Sequence, residues 1–236
     1  AFPQVKGARL RDAGFRKEPH AGRGFRETSE GAVLVTREYA ALLEQGTMEN
    51  IITTCCPSVN ELIEIYYPKL VPYLAPVVSP MIAHGRLLKK EYGADTKVVF
   101  LGPCIAKKKE SMDLRHNDCI DAVLNFQEVE NWLKQEQIEI QECEAEPLER
   151  IDPKVNRLYP VTNGVVNSVL ATEKQVDHYR KFYVHGIHNC IDLCESMVRG
   201  EIPEGLCRAL TRSDDTRTGF PKICVILDRR SCRIER

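Results

Sequence analysis

The stretch Ile52-Thr-Thr-Cys-Cys-Pro-Ser-Val-Asn60 places two adjacent cysteines between a short apolar run and a helical pattern. Residues Ile51 to Thr54 are short, apolar and β-branched, which predicts a buried strand that ends at the cysteine pair. Residues Ser58 to Glu61 fit a capping box, so a helix is expected to follow until Pro68. The pair is therefore predicted to lie between the end of a strand and the start of a helix.

A second cysteine has the same setting further along the chain. Residues Lys97 to Leu101 read as a strand that ends at Gly102-Pro-Cys104, and Ile120 to Leu124 read as a third strand before a helix at Phe126 to Leu133. This alternation predicts an α/β fold with parallel strands joined by helices. Ligands of such folds collect beyond the carboxyl ends of the strands, where helix N-termini can stabilise a thiolate. The alternative for each cysteine is a buried core thiol.

Further helices follow from the spacing of apolar residues. Residues Ala32 to Gln45 have helical periodicity, and Gly46 is a plausible C-terminal cap. Ser79-Pro80 combines an N-cap residue with proline at the first helical position, which predicts a helix through Tyr92 that Gly93 ends. Residues Asn189 to Arg199 read as an amphipathic helix.

Composition limits the class of protein. The chain has 236 residues, 43% hydrophobic and 28% charged, with a formal net charge of -1, so a large core is expected and nucleic acid or an acidic membrane is not an expected partner. The sequence contains no apolar run near the roughly 18 residues that span a bilayer and no signal-peptide layout at its start, so a cytoplasmic protein is expected. Ten cysteines in a reducing compartment indicate metal or redox chemistry rather than disulfides.

Two motifs resemble the signatures of the iron-only ([FeFe]) hydrogenases. Thr54-Cys-Cys-Pro57 resembles the first signature, and Pro103-Cys-Ile-Ala-Lys107 with Glu110 resembles the second, a Pro-Cys-x-x-Lys-x-x-Glu pattern. The segments between and after them look like the same family's large-subunit catalytic domain, in its sensory-type branch. These segments are Tyr67 to Leu74, Val77 to Gly85, Ile120 to Leu124, Tyr159 to Val166 and Val184 to Cys190. The resemblance covers about residues 25 to 205.

The resemblance implies a fold, a cofactor and a reaction. The expected fold has two lobes of mostly parallel sheet flanked by helices, with an Fe-S site at the lobe interface. Residues 1–150 would form the first lobe with the Cys55, Cys56 and Cys104 motifs, and residues 151–236 the second, incomplete or divergent after about residue 206. The family's H-cluster joins a 4Fe-4S cubane to a diiron subcluster that carries CO and cyanide. The reaction is the reversible oxidation of dihydrogen to protons and electrons.

The resemblance also assigns roles to single residues. Cys56 and Cys104 would be cubane ligands, since Fe-S clusters are held by thiolates. Cys55 would relay protons at the diiron site, because an exchangeable S–H can pass a proton where water is excluded. Lys107 would donate a hydrogen bond to a cyanide ligand. Without the resemblance, Lys107 would read as a solvated member of the run Lys107 to Lys109.

Two further positions are expected at this site. Pro80 would line the diiron pocket, although its place at a helix start is explained as well by capping. Glu38, on the first helix, is the candidate carboxylate of the proton route; the alternative is a solvated helix glutamate.

The family's third signature, Cys-x-x-Gly-Cys in a glycine-rich context, has no match in this sequence. Its expected place reads Cys207-Arg-Ala-Leu-Thr-Arg-Ser. Cys190 and Cys194 have the correct three-residue gap and are the candidates for the two missing cubane ligands. On an amphipathic helix, however, the same spacing places two packed thiols on one face.

Two functional classes remain open on the sequence. The first is an iron-only hydrogenase domain, an oxidoreductase acting on dihydrogen, with a hydrogen-sensing role as one form. Its expected partners are a ferredoxin-like electron-transfer domain or protein and the hydrogenase maturation factors. The second is a degenerate protein that keeps the fold to bind a 4Fe-4S cluster or a partner without hydrogen chemistry. The retained Cys55, Cys56, Cys104 and Lys107 favour the first class, and the missing third signature favours the second.

Overall fold

A computed structural model describes residues 24–48, 50–116, 119–143, 156–160, 164–172, 179–201 and 222–228. Residue contacts divide the chain into two compact units. The Cys104 unit comprises residues 1–28 and 84–151, and the Cys56 unit comprises residues 29–83 and 152–236. This grouping differs from the predicted lobes 1–150 and 151–236, because the strand Asn50–Ile52 pairs with the strand Lys222–Asp228 and the helix Ser29–Gln45 packs against Asn156–Leu158 and Gly164–Thr172.

The described elements alternate between helix and strand along the chain. The helices are α1 Ser29–Gln45, α2 Pro57–Tyr66, α3 Pro80–Tyr92, α4 Ala106–Ser111, α5 Phe126–Gln135, α6 Gly164–Thr172 and α7 Ile187–Val198. The strands are β1 Asn50–Ile52, β2 Val99–Leu101, β3 Ala122–Leu124, β4 Tyr179–His185 and β5 Lys222–Asp228. Short 3-10 helices occupy Pro68–Tyr73, Leu114–His116, Ile140–Glu142 and Asn156–Leu158. The described residues include no helix with the length and apolar character that crossing a bilayer requires.

Helix α3 has the predicted boundaries, and α1 ends at Gln45 as predicted but begins at Ser29, three residues before the predicted start at Ala32. Gly46 follows α1 with a φ of 60°, the left-handed conformation that glycine adopts at low cost. The Ser79 hydroxyl accepts from the backbone N–H of Ile82 at 3.5 Å, and Pro80 is the first residue of α3. Gly93 ends that helix with a φ of 100°. The end of α1 and both ends of α3 therefore lie where the local sequence signals predicted them.

The capping box predicted for α2 was wrong. The helix begins at Pro57, with Cys56 in the N-cap position and without a side-chain capping bond. Proline fixes a helical φ and needs no N–H partner in the first turn, so it starts the helix before Ser58. Val59 and Ile63 are fully buried on this helix, whereas the side chain of Ile65 is exposed.

The Cys104 unit contains the predicted parallel strand pair. β2 and β3 pair in parallel, with Val99 opposite Ala122, and α4 lies between them in sequence. Asn125 starts the next helix, α5, through a capping box in which its side chain accepts from the Glu128 N–H at 2.9 Å. Local sequence signals therefore account for this unit.

The sheet of the Cys56 unit departs from the expected parallel arrangement. Its strand order is β1-β5-β4, and both pairings are antiparallel, with Ile51 opposite Ile226 and Phe182 opposite Val225. The prediction of mostly parallel sheet was therefore wrong for this unit, although the mixed helix and strand composition is confirmed. The central strand β5 lies after residue 206, where the sequence showed no recognisable pattern.

Two groups of buried side chains hold the Cys56 unit together. The Tyr39 cluster consists of Val35, Tyr39, Leu43, Ile51, Ala75, Val77, Ala83, Val165, Val166 and Val169. The Cys190 cluster consists of Ile52, Val59, Ile63, Leu70, Val184, Cys190, Leu193 and Cys194. Strand β1 contributes Ile51 to the first cluster and Ile52 to the second, because neighbouring strand residues face opposite sides.

Candidate functional site

The cysteine pair lies shortly beyond the end of β1, which stops two residues before the predicted end at Thr54. The strand ends at Ile52, whose carbonyl accepts a hydrogen bond from the Ala75 N–H at 3.0 Å. Cys55 and Cys56 follow after two residues, and both have partly exposed side chains. The predicted position between strand and helix is confirmed, and both residues are partly exposed there.

A buried hydrogen-bond network fixes the residue before the pair. The backbone N–H of Thr54 donates to the Tyr39 hydroxyl at 2.8 Å, and the two hydroxyl groups lie 3.2 Å apart. The Thr54 hydroxyl is also 2.5 Å from the carbonyl oxygen of Val77 and 3.2 Å from that of Ala75. The side-chain amide of Asn60 donates to the Thr54 carbonyl at 3.0 Å. Every polar group of Thr54 is therefore engaged.

Thr53 presents an unused polar atom beside the same turn. Its side chain is almost fully buried, and its hydroxyl has no hydrogen-bond partner among the described residues. A buried hydroxyl without a partner is costly and is an indication of an additional group at the site. The first motif therefore combines two partly exposed cysteines with a buried hydroxyl that has no partner among the described residues.

The second motif contains a buried ion pair. Cys104 is partly exposed and lies three residues beyond β2. Lys107 and Glu110, on α4, are both about 9% exposed, and the ammonium is 2.5 Å from a carboxylate oxygen of Glu110. Buried lysines are rare unless they are paired. The run Lys107 to Lys109 suggested a surface position for Lys107, which is therefore wrong, whereas the motif predicted a buried one. Glu110 neutralises the charge of Lys107.

Cys190 and Cys194 occupy a different environment. Both lie on α7, at 0% and 1% exposure, and pack among the apolar side chains of the Cys190 cluster. Burial raises the pKa of Cys194 to about 11, so its thiol stays protonated near neutral pH. The partly buried Cys56 packs against the same cluster. The amphipathic helix is confirmed, and its two cysteines are core residues in this arrangement.

A 4Fe-4S cubane requires four thiolate ligands. The partial exposure of Cys56 and Cys104 suits that role, while the apolar surroundings of Cys190 and Cys194 do not. The described residues contain no group of three or more His, Cys, Asp or Glu side chains arranged to hold a metal ion. Of the remaining cysteines, Cys207 and Cys232 lie outside the described residues. The described residues thus fit a 4Fe-4S cubane only in part.

The other two predicted positions lie in the Cys56 unit. Glu38 is exposed on α1, and Pro80 is partly exposed at the start of α3. Tyr39, the neighbour of Glu38, contacts the cysteine turn through its hydroxyl and was not among the predicted site residues. Its spacing of four residues from the apolar Val35 indicated an inward position, but its hydrogen-bond partner is not visible in sequence.

Comparison with known proteins points to one family. Residues 20–208 match the family model described as iron only hydrogenase large subunit, C-terminal domain. Iron hydrogenase 1 of Clostridium pasteurianum is 29% identical over 183 residues, which are 70% of this chain and 31% of that protein. The periplasmic [Fe] hydrogenase large subunit of Nitratidesulfovibrio vulgaris is 32% identical over 133 residues, which are 50% of this chain and 31% of that protein. The matched part thus spans about a third of each relative.

Solved structures share the fold. An [FeFe]-hydrogenase, whose oxygen inactivation begins at the 2Fe subcluster of its H cluster, superposes with a TM-score of 0.58 at 19% identity. The superposition covers 86% of this chain and 70% of that one. A variant of the [FeFe]-hydrogenase HydA1 from Chlamydomonas reinhardtii gives a TM-score of 0.51 at 21% identity, over 77% of this chain and 54% of its own. The family model covers most of the chain, and this chain therefore belongs to the family of the iron-only hydrogenase large subunit, C-terminal domain.

Proposed function

We propose that this chain is the H-cluster domain of an iron-only hydrogenase and takes part in the reversible oxidation of dihydrogen. One observation carries the proposal. The cysteines of the two motifs, Cys55, Cys56 and Cys104, have partly exposed side chains, whereas the other described cysteines whose burial is known are buried. Iron can reach a thiolate only where the sulfur is accessible, so this difference separates candidate ligands from core thiols.

Each motif residue has a role in this proposal. Cys56 and Cys104 would hold iron through their thiolates. Cys55 would accept and release a proton at its Sγ. Lys107 would donate a hydrogen bond from its ammonium group, with Glu110 as the counter-charge beside it. The H-cluster, when bound, supplies the centre at which the bond of dihydrogen is broken or formed.

The remaining predicted positions fit around these roles. Glu38 is exposed on α1, which suits a carboxylate that exchanges protons with solvent, and Pro80 would line the pocket. The proposal requires cubane ligands beyond Cys56 and Cys104. They would come from Cys190 and Cys194 only if α7 rearranged, because both sulfurs are enclosed by apolar side chains.

A second candidate function is favoured by the burial of Cys190 and Cys194. If these thiols remain in the core, the described residues keep the hydrogenase fold without a complete ligand set. The chain would then bind either a 4Fe-4S cluster that is held by other ligands or a partner protein, and it would not catalyse hydrogen chemistry.

The proposed partners follow from the same reaction. Electrons would pass to a ferredoxin-like domain or protein, and the maturation factors of the family would deliver the diiron subcluster. A hydrogen-sensing role is part of the proposal because the sequence resembles the sensory-type branch. The cytoplasmic location stays a prediction, and one of the matched relatives is a periplasmic protein.

The test combines iron content with infrared spectroscopy on the full chain after anaerobic maturation. Assembly predicts stretching bands of CO and cyanide that persist through desalting. Cys56→Ala and Cys104→Ala should lose these bands and most of the iron. Cys119→Ala is the matched control, because Cys119 is a buried cysteine of the Cys104 unit and should retain both.

The variants of α7 separate the two candidate functions. Bands that survive in the Cys190→Ala, Cys194→Ala double variant would mean that other ligands complete the cubane. Bands in the parent that vanish in the double variant would mean that α7 rearranges around the cluster. A folded parent with iron but without bands would support the degenerate function, and normal iron in Cys56→Ala or Cys104→Ala would refute the ligand assignment.

A further inference from the structure

Tyr39 is a polar residue in the middle of an apolar core. It is 0% exposed and belongs to the Tyr39 cluster, where its neighbours are aliphatic side chains such as Val35 and Ile51. Burying a hydroxyl in such surroundings is unfavourable unless it makes hydrogen bonds. A phenylalanine would fill the same volume without that cost, so the hydroxyl itself needs an explanation.

Within the described part of the chain, the hydroxyl makes its hydrogen bonds with Thr54. It accepts from the Thr54 N–H at 2.8 Å and lies 3.2 Å from the Thr54 hydroxyl, to which it can donate. The Thr54 hydroxyl can then donate to the carbonyl oxygen of Val77 at 2.5 Å. These contacts connect α1 to the turn after β1 and to the chain before α3. The position of Thr54 is therefore set from outside its own segment.

The network also reaches Cys55. Cys55 follows Thr54 directly and packs against the Tyr39 cluster. The pKa of Tyr39 is raised well above 10.0, mainly by burial and further by the nearby Cys55 thiol. The phenol thus stays protonated over the physiological range, and its hydrogen bonds do not switch with pH.

We propose that Tyr39 is a positioning residue whose hydroxyl holds Thr54 in place and thereby sets the orientation and solvent access of the Cys55 thiol. The importance of this for catalysis rests on the proposed function, in which Cys55 relays protons. The positioning itself does not depend on a bound cluster, so it can be tested on the thiol directly.

The experiment measures the rate at which iodoacetamide alkylates Cys55 in the full chain, by mass spectrometry of the peptide that contains it. Tyr39→Phe leaves the buried Thr54 N–H without a partner, so Cys55 should react about tenfold faster as the turn opens more often. Val35→Ala is the matched control. Val35 lies on the same helix and in the same cluster, is equally buried and has no hydroxyl, so its loss destabilises the core without releasing the turn.

A second pair of variants keeps the test decisive if Tyr39→Phe fails to fold. Thr54→Val removes the hydroxyl that Tyr39 contacts and should also accelerate alkylation. Thr54→Ser keeps that hydroxyl and should restore the parental rate. Equal rates in Tyr39→Phe and Val35→Ala, or equal rates in the serine and valine variants, would overturn the proposal.

Hydrogen evolution by matured protein is measured in parallel. At unchanged iron content, Tyr39→Phe should evolve hydrogen about tenfold more slowly, with Val35→Ala close to the parent. A parent that evolves no hydrogen would refute the proposed function, while the alkylation rates would still decide the role of Tyr39. Faster alkylation with an unchanged rate of hydrogen evolution would overturn the catalytic importance of the positioning.

Discussion

Replacing Cys194 by alanine should change how the stability of this protein depends on alkaline pH. Cys194 is 1% exposed in the Cys190 cluster, so removing its sulfur leaves a small cavity. Such a loss costs about 1–2 kcal/mol of unfolding free energy at pH 7.5. Val59→Ala, in the same cluster and fully buried, is the matched control without a titrating group.

The sign of the pH effect follows from the direction of the pKa shift. Burial raises the pKa of Cys194 from 9.0 to about 11 in the folded protein. Below pH 9 the thiol is protonated in both states and does not change the stability. Between pH 9 and 11 the unfolded chain loses the proton first, so the free energy of unfolding falls as pH rises. By pH 10.5 this loss amounts to about 2 kcal/mol, since each pKa unit corresponds to about 1.4 kcal/mol.

Urea unfolding followed by circular dichroism, on the full chain kept free of iron, measures these differences. At pH 7.5 the parent should be more stable than Cys194→Ala, and by pH 10.5 the two should be about equal. The difference between parent and Val59→Ala should stay constant over the same range. A constant difference for Cys194→Ala as well would show that this thiol is not buried in the folded protein, and the reasoning that removes it from the ligand set would fail.

Three further predictions concern the Cys104 unit. Glu110→Gln removes the charge that pairs with the buried Lys107 ammonium and should lower the free energy of unfolding by about 3 kcal/mol, measured by thermal unfolding. Glu130→Gln, in the exposed pair with Lys134, should lower it by less than about 1 kcal/mol. Equal costs would contradict the burial of the first pair. Asn125→Ala removes the capping box of α5 and should cost about 1 kcal/mol, with Asn131→Ala on the exposed face of α5 as the neutral control. Gly85→Ala should lower the melting temperature, because its Cβ would meet the Cys119 carbonyl oxygen at 2.7 Å and the Ile120 side chain at 2.5 Å, while Gly24→Ala, with nothing within 4 Å, should not.

Local signals in the sequence predicted the fold correctly where the structure depends on residues only a few positions apart. The start of α3 at Ser79-Pro80, its end at Gly93 and the parallel pair β2–β3 all follow from nearby residues. The positions of Cys55, Cys56 and Cys104 beyond their strands follow for the same reason. The burial of Lys107 was predicted by its motif, and its partner Glu110 lies three residues away, within one helical turn.

Features that depend on distant residues could not be predicted in this way. The antiparallel partner of β1 lies in β5, and strand pairing over such a separation leaves no local mark in the sequence. The Tyr39 hydroxyl bonds to Thr54, which follows the end of α1 and the whole of β1 in the chain. The spacing of Cys190 and Cys194 fitted both a ligand pair and a buried helix face, and only the packing of α7 distinguishes the two.

The pairing of β1 with β5 also has a consequence for the order of events during synthesis. Ile52 and Lys222 are separated by about 170 residues, which a ribosome adds in about 10 to 30 s at typical rates. Until β5 has been made, the strand that precedes the cysteine pair lacks one of its two neighbours. During this interval the thiols of Cys55 and Cys56 would follow an incompletely paired strand, where oxidants or the wrong metal could reach them. Under the proposed function, iron would therefore be delivered most safely after β5 has paired with β1.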